Sequence, residues 1–258
     1  MITLEAGCDL IVCGDIHGNR TGLTKIISSA ALAEDSNRRL LIQEVIHGPL
    51  DASSKMDRSV ELLMRVARLK VSHPLQVLFV LGNHDIAQVT GNEITKEGLG
   101  VCKAFTEAMK AEFKDACQEV SEAVNEFLLS LPLAVRCPNG VFISHSLPAP
   151  ARMIAAGLEI LGQSGPYRPE DLRRGGSVYE WTWGRGQTPE QLEQLTGQLK
   201  AAYFILGHRH APEGFEVISP LGVTISSDNA RGQVIRLTTD KPFNDEIMKQ
   251  SIKSIIAF

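Results

Sequence analysis

The stretch Asp9-Leu10-Ile11-Val12-Cys13-Gly14-Asp15-Ile16-His17-Gly18-Asn19 carries the reading that decides the fold. An apolar run stops at a glycine, an acid and an imidazole follow, and from Thr21 to Leu32 the pattern becomes helical. The acid and the imidazole therefore sit on a strand-to-helix turn. Free backbone N–H groups at a helix start point outward and suit an anion.

The same design recurs four times. Gln43-Glu44 follows an apolar run within an expected strand at Arg39 to Ile46, and Gly82-Asn83-His84-Asp85 follows one at Gln76 to Leu81. Ser144-His145 follows Val141-Phe142-Ile143, and Gly207-His208-Arg209-His210 follows Tyr203-Phe204-Ile205-Leu206. Five of the seven histidines lie in these motifs, and a sixth, His47, stands three residues after Glu44. An open α/β sheet builds a site in this way, because ligands bind outside the carboxyl ends of its strands. Carboxylate, amide and imidazole groups gathered there imply a metal centre. In extended backbone, residues two apart share a side, so Asp15 with His17 and His208 with His210 are each expected to aim at one point. The same alternation turns His84 away from Asn83, and a histidine that is not a ligand can carry a proton.

Outside the motifs, Asp57 to Lys70 reads as an amphipathic helix reached through the loop 48–54. Phe105, Met109, Phe113, Cys117, Val120, Val124, Phe127 and Leu131 mark one long helical face over 103–131, ended by Pro132. Strands are expected at Ala134 to Cys137, Val141 to Ser144, Tyr203 to Leu206, Phe215 to Ile218, Val223 to Ser226 and Gln233 to Leu237. Residues 162–189, rich in Gly, Pro, Arg and aromatics, read as a functional loop, and the tail 241–258 as helical. Strand and helix alternate in the first half while strands cluster in the second. That arrangement fits an α/β layered sheet sandwich better than a simple doubly wound sheet.

The 258 residues suit a single domain, 1–258, and 43% apolar residues can fill a large core. A formal net charge of −4 argues against a general nucleic-acid binder. The five cysteines form no C-x-x-C pair, and no apolar run approaches the roughly 20 residues of a membrane helix. The expectation is a reduced, soluble, cytoplasmic protein that needs neither membrane nor nucleic acid, with its cysteines buried as small apolar residues.

The ordered set GDIHGN, LGNHD, SHSLP and LGHRH resembles the calcineurin-like metallophosphoesterase superfamily over residues 9 to about 230. GDIHGN and Glu180-Trp181-Thr182-Trp183-Gly184-Arg185 are most similar to the branch containing serine/threonine phosphoprotein phosphatases and symmetrical diadenosine tetraphosphate hydrolases. The resemblance implies a four-layer αββα sandwich and two divalent metal ions, manganese, iron or zinc. One ion would be held by Asp15, His17 and His210, the other by Asn83, His145 and His208. The expected bridging motif GDxxDRG is altered to Gln43-Glu44-Val45-Ile46-His47-Gly48, which puts Glu44 at the bridge, with Asp51 as the competing choice. It also puts His47 at the acidic partner's position and Gly48 where a phosphate-binding arginine would stand.

The mechanism so implied uses ions about 3.5 to 4 Å apart to activate a shared water, whose hydroxide attacks phosphorus in line. His84 would be the general acid, oriented by His47, Asp51 or Asp57. With Gly48 unable to bind phosphate, Arg185 is the first candidate for that role and Arg20 the second. The implied substrate is a phosphorylated small molecule, a dinucleotide or a phosphoprotein. The altered motif also leaves open a noncatalytic metal-binding or protein-interaction module on the same fold.

Overall fold

In the computed structural model, which describes residues 1–163 and 166–257, the chain opens with β1 (Ile2–Thr3), β2 (Asp9–Asp15), α1 (Arg20–Ala30), β3 (Arg38–Gln43), α2 (Ser59–Ser72) and β4 (Val77–Val80). There follow α3 (Asn83–Thr90), a small hairpin of β5 (Thr95–Lys96) and β6 (Leu99–Gly100), α4 (Val101–Phe113), α5 (Cys117–Leu129), β7 (Ala134–Arg136), β8 (Val141–Ser144), α6 (Met153–Ala156), α7 (Ser177–Trp183) and α8 (Pro189–Leu199). The chain closes with β9 (Tyr203–Leu206), β10 (Phe215–Ser219), β11 (Gly222–Ile225), β12 (Gln233–Thr238), α9 (Asp245–Ser251) and β13 (Ile252–Ser254).

Two sheets carry the architecture. One runs β13-β12-β2-β3-β4 and the other β1-β7-β8-β9-β11-β10. Pairing is parallel through β2-β3-β4 and through β8-β9-β11, so six carboxyl ends open toward one edge of the sandwich.

Alternation along β2 shows how the layers form. Leu10 and Val12 join Leu41, Val80, Val141, Ile143, Ile205 and Val223 in a core between the two sheets. Their neighbours Ile11 and Cys13 belong instead to the cluster that includes Leu23 and Ile26 of α1 and Leu63 and Val66 of α2. Strands buried on both faces read as continuous apolar runs, as LIVC, VLFV and YFIL do. On the second sheet, Phe142 packs against Trp181 of α7, and Phe204 clusters with Leu192 and Leu195 of α8. Each fully buried side chain of this size contributes about 1.5–3 kcal/mol of transfer free energy. The result is an α/β four-layer sandwich.

Four local expectations are revised. The long helix over 103–131 is broken: Lys114 adopts φ 48° and a 3₁₀ turn at Lys114–Ala116 separates α4 from α5. The apolar face survives the break, since Phe113 and Cys117 on either side of it pack against the same core cluster as Phe105 and Val124. The 162–189 segment is not all loop, since α7 is anchored within it by Trp181, which is 1% exposed; its residues 164–165 lie outside the described residues. The tail 241–258, whose last residue is also outside them, is α-helical only through α9 and ends in a 3₁₀ turn at Ile255–Ala257. Its β13 pairs antiparallel with β12 and covers that edge. Finally, Asn83 and His84 begin a helix rather than an extended segment, with Gly82 as N-cap and the Asp85 carboxylate accepting from Gly82 N at 2.9 Å.

Candidate metal centre

The loops at the strand ends are fastened to one another before any side chain is considered. Ile16 N and His17 N both donate to Glu44 O at 2.9 Å, and Gly18 N donates to Val45 O at 3.0 Å. The turn after β2 therefore rides on the turn after β3. Gly48 then crosses Gly18 so closely that a β-carbon on Gly48 would stand 2.8 Å from Gly18 Cα. The residue in the arginine position is small because a backbone occupies the space.

Four side chains of the site sit on left-handed backbone that favours glycine: His17 at φ 38°, Glu44 at 24°, His47 at 62° and His208 at 69°. Such strain, about 1–3 kcal/mol at each position, persists only where the surroundings hold it.

Glu44 lies at the middle. Its carboxylate, 2% exposed, accepts from His84 N at 2.6 Å, stands 3.4 Å from His145 Nε2 and turns its other oxygen to His17 Nε2 at 3.3 Å. Two ligand groups share it. Asp15, Glu44 and His145 form one; His17, Glu44 and His84 form the other. Asn83 Oδ1 lies 2.9 Å from His145 Nε2 and 2.8 Å from His208 Nδ1, which places both beside the first group. His208 N donates to Asp15 Oδ2 at 2.9 Å. His17 Nδ1 faces the Ile46 carbonyl at 2.9 Å, so Nδ1 carries the proton and Nε2 presents a lone pair.

These placements differ from the expected partition. Asp15 and His17 fall in different groups, joined by Glu44. His208 and His210 part company as well, because the left-handed turn at His208 ends the extended alternation. His208 is drawn into the pocket, whereas His210 is 61% exposed and lies 3.4 Å from Asp228 Oδ2 at the rim. Asp51 is in an exposed turn, accepting from Ser53 and Ser54, and does not reach the pocket. Asp57, just before α2, accepts from Ser59 N at 2.8 Å. Arg20, 67% exposed, pairs with Glu61 at 3.4 Å outside the pocket. Arg185 does line the pocket. The backbone before it is pinned, because a β-carbon on Gly184 would collide with the Leu147 carbonyl and Ser146 Oγ donates to Gly184 O at 2.6 Å.

The donor set fits divalent cations. Asp15 Oδ1, Glu44 Oε2, His145 Nδ1 and His208 Nε2 are buried without a hydrogen-bond partner among the described residues. Buried polar atoms so placed are costly unless something satisfies them, and oxygen with imidazole donors suits zinc, iron or manganese. The electrostatics agree. Burial pushes Glu44 up to about 8. Burial also works against a charged His145, yet Glu44 and Asp15 hold its imidazolium up to about 9, a positive charge standing among acids. Asp15, despite burial, falls to about 2 under the influence of His145 and His17. His208 falls to about 2 through burial and the neighbouring His145 and Arg185, and so stays neutral.

His84 is held by a relay that fixes its proton. Thr106 Oγ1 donates to Cys102 O at 2.9 Å and accepts from Gln88 Nε2 at 3.1 Å, which turns Gln88 Oε1 toward His47 Nε2 at 2.9 Å. His47 Nε2 therefore donates to Gln88, and His47 Nδ1 accepts from His84 Nδ1 at 2.8 Å. That leaves His84 Nε2 with the lone pair. Burial, with His17 and Lys96 close by, holds His84 far below the usual histidine range.

The calcineurin-like phosphoesterase family model matches residues 9–212, most of the chain and all of these motifs. The chain belongs to the calcineurin-like phosphoesterase family. It is a metal-dependent phosphoester hydrolase. The fold of this calcineurin-like phosphoesterase is similar to that of a protein serine/threonine phosphatase from Saccharomyces cerevisiae described as similar to human phosphatase PP5. The TM-score is 0.67 at 16% identity, covering 92% of this chain and 76% of that one. It is also similar to a cold-active protein-tyrosine phosphatase of a psychrophilic Shewanella sp. There the TM-score is 0.63 at 10% identity, covering 99% of this chain and 82% of that one. At these identities the likeness is one of fold. No helix among the described residues is long and apolar enough to cross a membrane.

Three residues of this phosphoesterase's site escape a strand-end reading. Gln88 sits one turn into α3, Lys96 lies on the β5–β6 hairpin, and Asp228 follows β11. None occupies a motif, and only the Lys-Glu-Gly sequence at 96–98 signals that a tight turn there carries charge.

Proposed function

We infer that this phosphoesterase is a dinuclear hydrolase of phosphate esters in which Glu44 bridges two divalent cations. The observation that carries the reading is the shared carboxylate: both ligand groups contain Glu44, and its buried Oε2 has no hydrogen-bond partner among the described residues. Asp15, His145, Asn83 and His208 would hold one cation, and His17 with the rim residue His210 the other, which leaves His84 free to carry a proton. When bound, the pair supplies Lewis-acid stabilisation of phosphoryl charge and an acidified water at neutral pH.

The chain's own groups account for the rest. Arg185 reaches the pocket from the end of α7 and can engage two phosphoryl oxygens through its planar fork. Asn83, held between His145 and His208, keeps those rings in register. His84 rests neutral with its Nε2 lone pair toward the pocket, and a phosphate dianion arriving beside it raises its proton affinity. His84 can then take a proton and release it to the leaving oxygen, while His47 keeps the ring oriented. The substrate is a phosphorylated small molecule, a dinucleotide or a phosphoprotein, and the unpaired cysteines suit a cytoplasmic setting.

The test is reconstitution with manganese and hydrolysis of an aryl phosphate, with metal content measured on the same sample. Turnover should vanish in Asp15→Ala and His84→Ala. Turnover surviving both changes removes the assignment, and bound metal without turnover of any ester class would return the chain to a noncatalytic role.

A further inference from the structure

The geometry points to Lys96 as a phosphoryl-binding residue of this site, supplied by the β5–β6 hairpin in place of the arginine that Gly48 excludes; this rests on the phosphoesterase reading above. Lys96 lines the metal pocket of about 200 Å³ together with Asp15, Glu44 and Arg185. It also lines the neighbouring cleft of about 690 Å³, whose apolar wall is formed by Pro49, Leu50, Leu99 and Val101. It stands where the two spaces join, which is where the phosphorus-to-leaving-group bond of a seated ester would lie.

The hairpin holds it there. Thr95 pairs with Gly100 and Lys96 with Leu99, so Glu97 and Gly98 form a two-residue turn at φ 50° and 80°. Two positive φ values in such a turn match the twist of the strands and make it stiff. The Lys96 ammonium makes no hydrogen bond or ion pair with any described residue, although it is partly buried, shares the pocket lining with Glu44, Asp15 and Asp228, and feels their charge and that of Asp57. Burial draws its pKa below the usual lysine value, as expected of an ammonium kept from water.

Charge decides what it faces in the working site. With two dications on Glu44 and Asp15, those acids are already neutralised, and Lys96 and Arg185 add to a surplus of positive charge around the pocket. Asp228 and Asp57 remain nearby but form no ion pair with Lys96, so an incoming anion is the direct partner the ammonium lacks. A dianionic phosphoryl group supplies one, with Arg185 and Lys96 reaching it from different loops. The cleft beside Lys96 then takes the leaving group, a partly apolar moiety of small-molecule size.

The probe is inorganic phosphate, titrated calorimetrically into the metal-loaded full chain, with metal content and far-UV circular dichroism measured alongside. Lys96→Met should keep its metal and fold but bind phosphate about tenfold to a hundredfold more weakly, the scale of one charge-assisted hydrogen bond. Its KM for an aryl phosphate should rise in parallel, and Lys96→Arg should recover most of the affinity. Unchanged phosphate affinity in Lys96→Met at full metal content overturns the proposal while leaving the phosphoesterase reading intact. Loss of metal from Lys96→Met also overturns it, by assigning the lysine to charge balance among the ligands. A wild-type chain that binds neither metal nor phosphate sinks both readings together.

Discussion

Gly18 and Gly48 meet backbone to backbone, with the space for a β-carbon on Gly48 ending 2.8 Å from Gly18 Cα. The substitution that separates this chain from the GDxxDRG pattern is thus tied to how two ligand loops pack. Gly48→Arg should not restore a phosphate-binding arginine. It should destabilise the fold by about 1–3 kcal/mol, as overpacking does, and lower activity. Denaturant unfolding of the variant checks this, and a stable, more active Gly48→Arg enzyme would contradict the packing argument.

His47 accepts the His84 proton in a buried place, so removing it leaves that N–H without a partner. His47→Ala should lower kcat about tenfold to a hundredfold, the usual effect of losing a group that orients a catalytic histidine, with little change in KM. Gln88→Leu should act in the same direction. Steady-state kinetics across pH are the measurement, and a His47→Ala enzyme with wild-type kcat would show that His84 needs no partner.

Metal uptake should release protons. Burial raises Glu44 and the neighbouring acids raise His145, so this buried pair retains a proton near neutrality in the metal-free chain and must give it up to become ligands. Affinity should therefore rise as pH increases from about 7 toward 9. Calorimetry in buffers of different ionisation enthalpy reads the proton count directly, and affinity independent of pH over that range would be the contrary result.

The two arginine candidates separate cleanly. Arg185→Ala should reduce kcat/KM about a hundredfold, on the scale of losing a donor to developing charge. Arg20→Ala, which breaks only an exposed pair with Glu61, should change kcat/KM less than about twofold. Comparable losses in both would mean that the α1 start closes over substrate.

Asp9 ties three segments at the edge remote from the pocket. Arg236 donates to it through Nε at 2.8 Å and Nη2 at 2.5 Å, and Arg38 Nε donates at 3.0 Å. Burial opposes the charge, but the two arginines hold the carboxyl below its ordinary 3.8. Since the folded value is depressed, the stabilisation is complete above 3.8 and is lost as pH falls through the lower folded value. Asp9→Asn should cost about 1 kcal/mol at pH 7 and little in strong acid. Urea melts at both pH values distinguish this from a pH-independent effect.

Much of this was legible because the signals were local. Apolar runs such as Val77–Val80 and Tyr203–Leu206, each ending in a donor-bearing turn, give the strands and their common edge, and Glu44 stands out as the acid at the end of its run. What was not legible depended on backbone reversals. Lys114 splits the long helix without disturbing its apolar period, and the left-handed turn at His208 sends His210 to the rim. Lys96 and Gln88 reach the site from a hairpin and a helix turn that no strand-end pattern marks. The edge strand Ile252–Ser254 hides in a short, weakly patterned tail, since its pairing with β12 is settled by a partner nearly twenty residues upstream.

The positive φ angles at His17, Glu44, His47 and His208 set stability and chemistry against each other. Glycine would relax any of these positions, so a selection for thermal robustness alone should drift toward Gly exactly where a donor atom is needed. The sandwich beneath must be firm enough to carry that standing load, and an unusually hardy but inert variant would be its natural by-product.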